Sequence, residues 1–101
     1  MTSQQNRKIM FLGTRIRELR EEKELLQRQL AASLEIDTPM YSKIERGERK
    51  AKREQVLKLA DLLNADSKEL LTLWLAGQVY ELVKDEKLAK NALQIVEQNL
   101  I

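Results

Sequence analysis

The chain has 101 residues, which fits one domain or one domain with an appended element. Hydrophobic residues make up 43% of it and charged residues 34%, so a core is possible beneath a strongly charged surface. It contains no cysteine and no histidine. Disulfides and thiolate metal sites are therefore excluded, and the commonest general base and transition-metal ligand are absent. We expect no enzyme and no cofactor.

The N-terminal region has no long apolar stretch. Residues 9–12 are the only apolar run there, and four residues are too few for a secretory signal or a membrane span. We therefore expect a cytoplasmic protein that does not associate with membranes.

Basic residues are concentrated in the first half of the chain. Residues 7–58 carry 14 Lys and Arg against 9 Asp and Glu, whereas residues 59–101 carry 4 against 7. Within residues 43–53 there are 6 basic and 2 acidic residues. Clustered cations around a turn favour phosphate binding, and a solvated charged surface is the alternative.

Helical spacing of apolar residues, with only 3 glycines and 1 proline, predicts an all-α chain. We expect a flexible polar tail, residues 1–8, before the first helix. The predicted helices span residues 9–24, 27–34, 38–46, 53–64, 67–83 and 85–98.

The third predicted helix has clear start and stop signals. Asp37 or Thr38 can cap it, and Pro39 suits its first turn because the N–H that proline lacks has no partner there. Gly47 can adopt the left-handed conformation that ends a helix. Asn64 is the corresponding stop signal for the fourth helix.

The fifth predicted helix begins with a capping box, Asp66 and Glu69, and is apolar around nearly its whole circumference. One apolar face is enough for packing on a small core, so the surplus needs another partner. We expect a second copy of the chain there, and the alternative is that the sixth helix covers the surplus. The predicted dimer contacts are Leu71, Trp74, Leu75, Val79, Tyr80 and Leu82.

Four segments in register resemble the helix-turn-helix domain of the Xre/Cro-like bacterial and phage repressors. They read RIRELR from residue 15, QRQLA from residue 27, YSKIERGER from residue 41 and LKLADLL from residue 57. The controller proteins of restriction–modification systems are small members with a similar plan. The resemblance implies a five-helix, lambda-repressor-like DNA-binding bundle over residues 9–75. The resemblance does not reach residues 76–101, and their apolar pattern alone predicts an additional C-terminal helical extension that serves dimerisation.

The resemblance also implies roles for individual residues. The third helix, about residues 38–46, would enter the major groove of double-stranded DNA. Expected base contacts are Thr38, Pro39, Met40, Ser42 and Lys43. Expected phosphate contacts are Gln27, Arg46, Arg49, Lys50, Lys52 and Arg53. Lys43 is the best candidate for guanine O6 or N7, whereas Met40 fits a gap-filling role equally well. Arg20 and Glu45 match positions that form a structural salt bridge.

Three positions depart from the family pattern. Leu26 replaces the usual Ser or Thr cap, which leaves open that the second helix merges with the first. Ala51 replaces the usual proline before the fourth helix. Pro39 stands where relatives often place a polar base-reading residue, so this protein has fewer direct readers and depends more on DNA shape.

These features predict a sequence-specific DNA-binding transcriptional regulator that acts as a homodimer on a near-palindromic operator. The alternative is an antitoxin-type DNA-binding protein whose C-terminal helices bind a partner protein.

Overall fold

The computed structural model describes residues 11–101, and within them it contains six helices and no strand. This confirms the all-α prediction. The predicted tail, residues 1–8, and the start of the first predicted helix lie outside the described residues. The helices are α1 (Leu12–Glu22), α2 (Gln27–Leu34), α3 (Thr38–Glu45), α4 (Arg53–Leu62), α5 (Ser67–Val83) and α6 (Ala89–Asn99).

The first five helices pack around one hydrophobic core. α2 packs against α3 and α4, α5 packs against α4 and α1, and α1 also packs against α3. The largest fully buried side chains are Tyr41, Ile16, Leu59, Leu63, Leu70 and Val56. Each buried aliphatic side chain of this size contributes about 1.5–3 kcal/mol to folding, so the core holds α2 and α3 in a fixed mutual orientation.

A tight corner joins α2 to α3. Glu35 adopts the left-handed conformation with φ of 61°, and its N–H and that of Ile36 donate to the last carbonyls of α2. Asp37 is the cap of α3, because its carboxylate accepts a 2.8 Å hydrogen bond from the N–H of Met40. Pro39 lies in the first turn, as predicted. The corner therefore satisfies its backbone groups locally and leaves the outer face of α3 free.

A glutamine side chain accepts the N–H of the cap residue at two helix starts. The Leu26 N–H donates to Gln29 Oε1 at 2.7 Å, and the Lys52 N–H donates to Gln55 Oε1 at 2.8 Å. This is the reaching-back half of a capping box. α2 does not merge with α1, because Glu24 takes a left-handed φ of 54° between them. Gly47 and Asn64 also have positive φ, at the helix ends predicted for them.

The capping box predicted for α5 is only half formed. Asp66 accepts from the N–H of Lys68 at 2.9 Å, as a cap should. Glu69 does not reach back; it accepts from Arg15 Nε of α1 at 2.9 Å. The prediction was wrong for Glu69 because a guanidinium on the neighbouring helix offers a charged donor in place of a backbone N–H.

The C-terminal part of the chain extends beyond the core. α6 begins at Ala89 and not at residue 85 as predicted, because residues 84–88 are not helical. Every residue of α6 except Ala89 is exposed, so α6 does not cover the surplus apolar residues of α5. The exposed large apolar residues of this part are Leu75, Val79, Tyr80, Leu82, Leu88, Leu93, Ile95, Val96, Leu100 and Ile101. None of the described helices is both long enough and apolar enough to cross a membrane.

Gly13 sets the separation between α1 and α3. A Cβ atom built at Gly13 would overlap the carbonyl oxygen of Glu45 and lie 2.9 Å from that of Ile44. Both obstacles are backbone atoms, which cannot turn aside as a flexible side chain would. The end of α3 therefore approaches α1 at a distance that only glycine permits.

We expect Gly13→Ala to destabilise the protein by about 1–3 kcal/mol, because the added methyl forces α1 and α3 apart. Gly77→Ala is the matched control: its Cβ would lie 3.8 Å from Phe11, an ordinary contact. Alanine should be neutral there or stabilise the helix by up to about 1 kcal/mol. Urea denaturation of both variants measures the difference, and equal stabilities would contradict the close approach.

Candidate nucleic-acid interface

α3 divides cleanly into an inner and an outer face. Tyr41, Ile44 and Glu45 are buried, and the first two belong to the core. Of the five expected base-contact residues, Pro39 and Lys43 lie opposite the buried side, whereas Thr38 and Met40 border it, three and four residues before Tyr41 and Ile44. Pro39 and Lys43 are exposed, and the remaining three, Thr38, Met40 and Ser42, are partly exposed. The structure thus leaves the five predicted base-contact positions accessible on one short helix.

The carboxylate of Glu45 fastens the inner face of α3 to α1. Arg20 donates to it twice, from Nε at 2.6 Å and from Nη2 at 3.0 Å. The side chains are 11% and 2% exposed, respectively. Arg20 Nη1 also donates to the Leu25 carbonyl at 3.0 Å, which fixes the segment between α1 and α2. Arg20 therefore connects α1 to α3 and to the segment that leads into α2.

Two further donors complete the shell of Glu45. Tyr41 donates its hydroxyl at 2.6 Å and Gln27 donates its amide at 3.0 Å. Burial alone would raise the pKa of Glu45, but the hydrogen bonds from Arg20, Tyr41 and Gln27 outweigh it and hold this pKa below its ordinary value. Burial, reinforced by Glu45, raises the pKa of Tyr41. Sequence reasoning missed Tyr41 as a partner, although its spacing of four from Glu45 places both on one side of a helix.

Gln27 stands at the first position of α2 and is half buried. Its side-chain amide is held by Glu45, which aligns the start of α2 with the end of α3. The backbone N–H groups at a helix start are a favourable environment for an anion. Contact with phosphate at this position stays a prediction.

Residues 46–53, which follow α3 and end at the first residue of α4, form a basic loop. A side chain of α5 anchors this loop. Trp74 Nε1 donates to the Ala51 carbonyl at 2.7 Å, and the Arg53 guanidinium lies 5.1 Å from the centre of the Trp74 ring. The predicted phosphate contacts Arg49, Lys50, Lys52 and Arg53 are all exposed. Trp74 and Leu71, both predicted dimer contacts, pack partly against the core of the same protomer. The tryptophan indole therefore positions the cationic loop.

Arg46, at the end of α3, has its own partners on the surface. Its Nε and Nη2 donate to the two carboxylate oxygens of Glu48 at 3.0 and 3.1 Å, and Nη1 donates to Ser42 Oγ. The pairing raises the pKa of Arg46 and lowers that of Glu48. Both side chains are exposed, so the pair is accessible to another anion.

An open groove of about 560 Å³ lies between α1, the start of α2 and the outer edge of α3. Gln27, Ser42 and Arg46 line it together with Thr14 and Arg17 of α1. Sequence reasoning did not single out Thr14 or Arg17. The signal was available, because both are polar residues on the side of α1 opposite to Ile16 and Leu19.

An exposed helix on a fixed two-helix corner, beside a loop rich in cations, is the arrangement of a helix-turn-helix DNA-binding protein. A family model described as a helix-turn-helix domain matches residues 12–74, and the chain belongs to this family. Family membership supports DNA as its partner. Comparison with curated proteins and with solved structures gave no match.

We expect Arg20→Ala to lower the free energy of unfolding by about 3–5 kcal/mol, because it leaves the buried Glu45 carboxylate without its ion-pair partner. Arg17→Ala removes the same side chain from the same helix. Its pair with Glu21, at 3.1 Å, joins side chains that are 64% and 55% exposed, so the cost should stay below about 1 kcal/mol. Thermal melting of the two variants tests this; an unchanged melting curve for Arg20→Ala would be incompatible with a structural pair.

Proposed function

We propose that the protein is a sequence-specific transcriptional regulator that binds a near-palindromic DNA operator as a homodimer. The single observation that carries the proposal is the accessible polar face of α3 beside the basic loop. A short helix whose inner face is buried and whose outer face is polar fits the major groove. The Xre/Cro-like relationship, with the restriction–modification controllers as small members, is part of the proposal.

In this proposal the side chains of α3 and of the basic loop have two different roles on DNA. Thr38, Pro39, Met40, Ser42 and Lys43 face the base edges, and Lys43 donates to guanine O6 or N7. The phosphate backbone is contacted by Gln27, Arg46, Arg49, Lys50, Lys52 and Arg53. Phosphate contacts orient the protein without reading sequence, whereas base contacts select it. The protein performs no chemistry on the DNA.

The exposed apolar residues of α5 and α6 support the homodimer. Two runs of apolar residues have alternating spacings of four and three. In α5 the run is Leu75, Val79 and Leu82. In and just after α6 it is Ala89, Leu93, Val96 and Leu100. Alternating spacings of four and three form a stripe that packs against another helix. Most of this stripe is exposed in the single chain, and monomers rarely expose a large apolar patch. Two copies would place two α3 helices in successive major grooves, roughly 34 Å apart.

A second candidate function uses the same stripe differently. In an antitoxin-type protein, α6 and the exposed half of α5 would bind a different protein while the domain binds DNA. The lack of packing between α6 and the core favours a partner of some kind. Light scattering on the purified chain separates the candidates, since a stable dimer favours the regulator and a monomer the antitoxin type.

Selection of DNA sequences by the purified protein, followed by gel-shift titration, tests the function. We expect Lys43→Ala to lose about 1–3 kcal/mol of binding free energy and to relax the preference at one base pair. Lys52→Ala should weaken binding to all sequences alike and reduce the salt slope by about 1. Identical behaviour of the two variants on selected and scrambled DNA would argue against the assigned roles.

We expect Leu82→Glu to weaken the dimer at least roughly tenfold while leaving the fold intact. Leu82 is 78% exposed in the single chain, so the core does not depend on it. Gln98→Glu introduces the same charge at an exposed α6 position off the apolar stripe and should leave the dimer unchanged. Light scattering over a dilution series gives both dissociation constants; a dimer unaffected by Leu82→Glu would exclude this stripe as the interface.

A further inference from the structure

Glu48 is the acidic exception within the basic loop. Between residues 46 and 53 it is the one acidic residue among five basic ones. A carboxylate beside the phosphate backbone repels it, so its presence there calls for a physical explanation. The explanation lies in the contacts that Glu48 makes with the arginine at the end of α3.

Gly47 brings Arg46 and Glu48 together. Its φ of 77° is accessible to glycine, and it turns the chain so that residues 46 and 48 point the same way. Glu48 then accepts from Nε and Nη2 of Arg46, along the side edge of the guanidinium, at 3.0 and 3.1 Å. Ser42, one turn earlier on α3, accepts from Nη1. The guanidinium is therefore held from two sides.

Arg46 keeps donors that its protein partners do not use. A guanidinium has five N–H groups, and within the described residues three of those of Arg46 are engaged by Glu48 and Ser42. The other two, one on each Nη atom, have no acceptor among the described residues. A guanidinium N–H forms a strong charge-assisted hydrogen bond with a phosphate oxygen. Glu48 and Ser42 thus hold the guanidinium in one orientation and leave it donors for a phosphate.

The same carboxylate has opposite effects on two kinds of DNA complex. Non-specific binding depends almost entirely on net charge, and there Glu48 neutralises Arg46 and repels phosphate. In the operator complex α3 is seated in the groove at a fixed position, so an arginine already held in place loses less side-chain freedom on binding. The gain from an oriented Arg46 therefore offsets the repulsion between Glu48 and phosphate in the operator complex and not in the non-specific complex.

We propose that Glu48 is a specificity-determining residue that lowers affinity for non-specific DNA while preserving affinity for the operator. It acts through Arg46 as a positioning residue and does not contact DNA itself. This inference rests on the proposed function, because it requires an operator that the protein prefers.

The test compares Glu48→Gln with Glu54→Gln. Both changes remove one negative charge near the basic loop. Glu54 is exposed in the first turn of α4 and has no ion-pair partner within the described chain. A glutamine at position 48 offers one acceptor oxygen and so cannot hold both N–H groups of the side edge. Affinities of wild type and both variants are measured on the selected operator and on scrambled DNA over a range of salt concentrations, with melting curves to verify folding.

We expect Glu48→Gln to tighten binding to scrambled DNA and not to the operator, so that the ratio of the two affinities falls about two- to fivefold. The salt slope on scrambled DNA should steepen by up to about 0.9, because Arg46 becomes free to neutralise a phosphate. Glu54→Gln should tighten both complexes by the same factor and leave the ratio unchanged.

Two results would overturn the inference. One is an unchanged affinity ratio for Glu48→Gln, and the other is a change that matches that of Glu54→Gln. In both cases wild type still prefers its operator, and the proposed function stands. If wild type selects no sequence at all, the proposed function fails and the inference fails with it.

Discussion

The buried carboxylate of Glu45 is the interaction on which the rest of the site depends. It takes hydrogen bonds from α1, α2 and α3 at once, through Arg20, Gln27 and Tyr41. A carboxylate without these donors would be costly to bury. The three helices are thus held in one arrangement, and the outer face of α3 is presented at a fixed angle. Gly13 makes this possible, since any side chain there would keep the end of α3 away from α1.

Much of this arrangement could be predicted from the sequence, because it depends on local signals. The cap at Asp37, the turn at Gly47 and the inward direction of Tyr41 and Ile44 each follow from a residue type at a given spacing. The pairing of Arg20 with Glu45 came from the resemblance and not from a pattern. What the sequence did not reveal are contacts between distant segments. The choice of Glu69 between its own helix start and Arg15 depends on how α1 and α5 cross.

The same reasoning explains why the end of the chain was the least predictable part. No glycine or proline marks the turn at residues 84–88. The break between the two helices was therefore predicted to be too short, and the start of α6 was placed four residues too early. The apolar surplus of α5 was recognised because apolar residues occur around nearly the whole circumference of the helix. Which surface would cover it in an assembly depends on a second chain, and a single sequence gives only the apolar positions themselves.

Trp74 links the two surfaces on which the proposed regulator depends, the apolar stripe and the basic loop. Its ring lies on α5, one residue before the exposed Leu75, while its indole N–H holds the Ala51 carbonyl of the basic loop. The α5 part of the apolar stripe is therefore joined to the basic loop through a single hydrogen bond and the cation–π contact with Arg53. In a homodimer built on that stripe, the packing of α5 against its partner would set the distance between the two basic loops. The contacts between the two α5 helices, and not a flexible linker, would then determine the spacing of the half-sites on DNA.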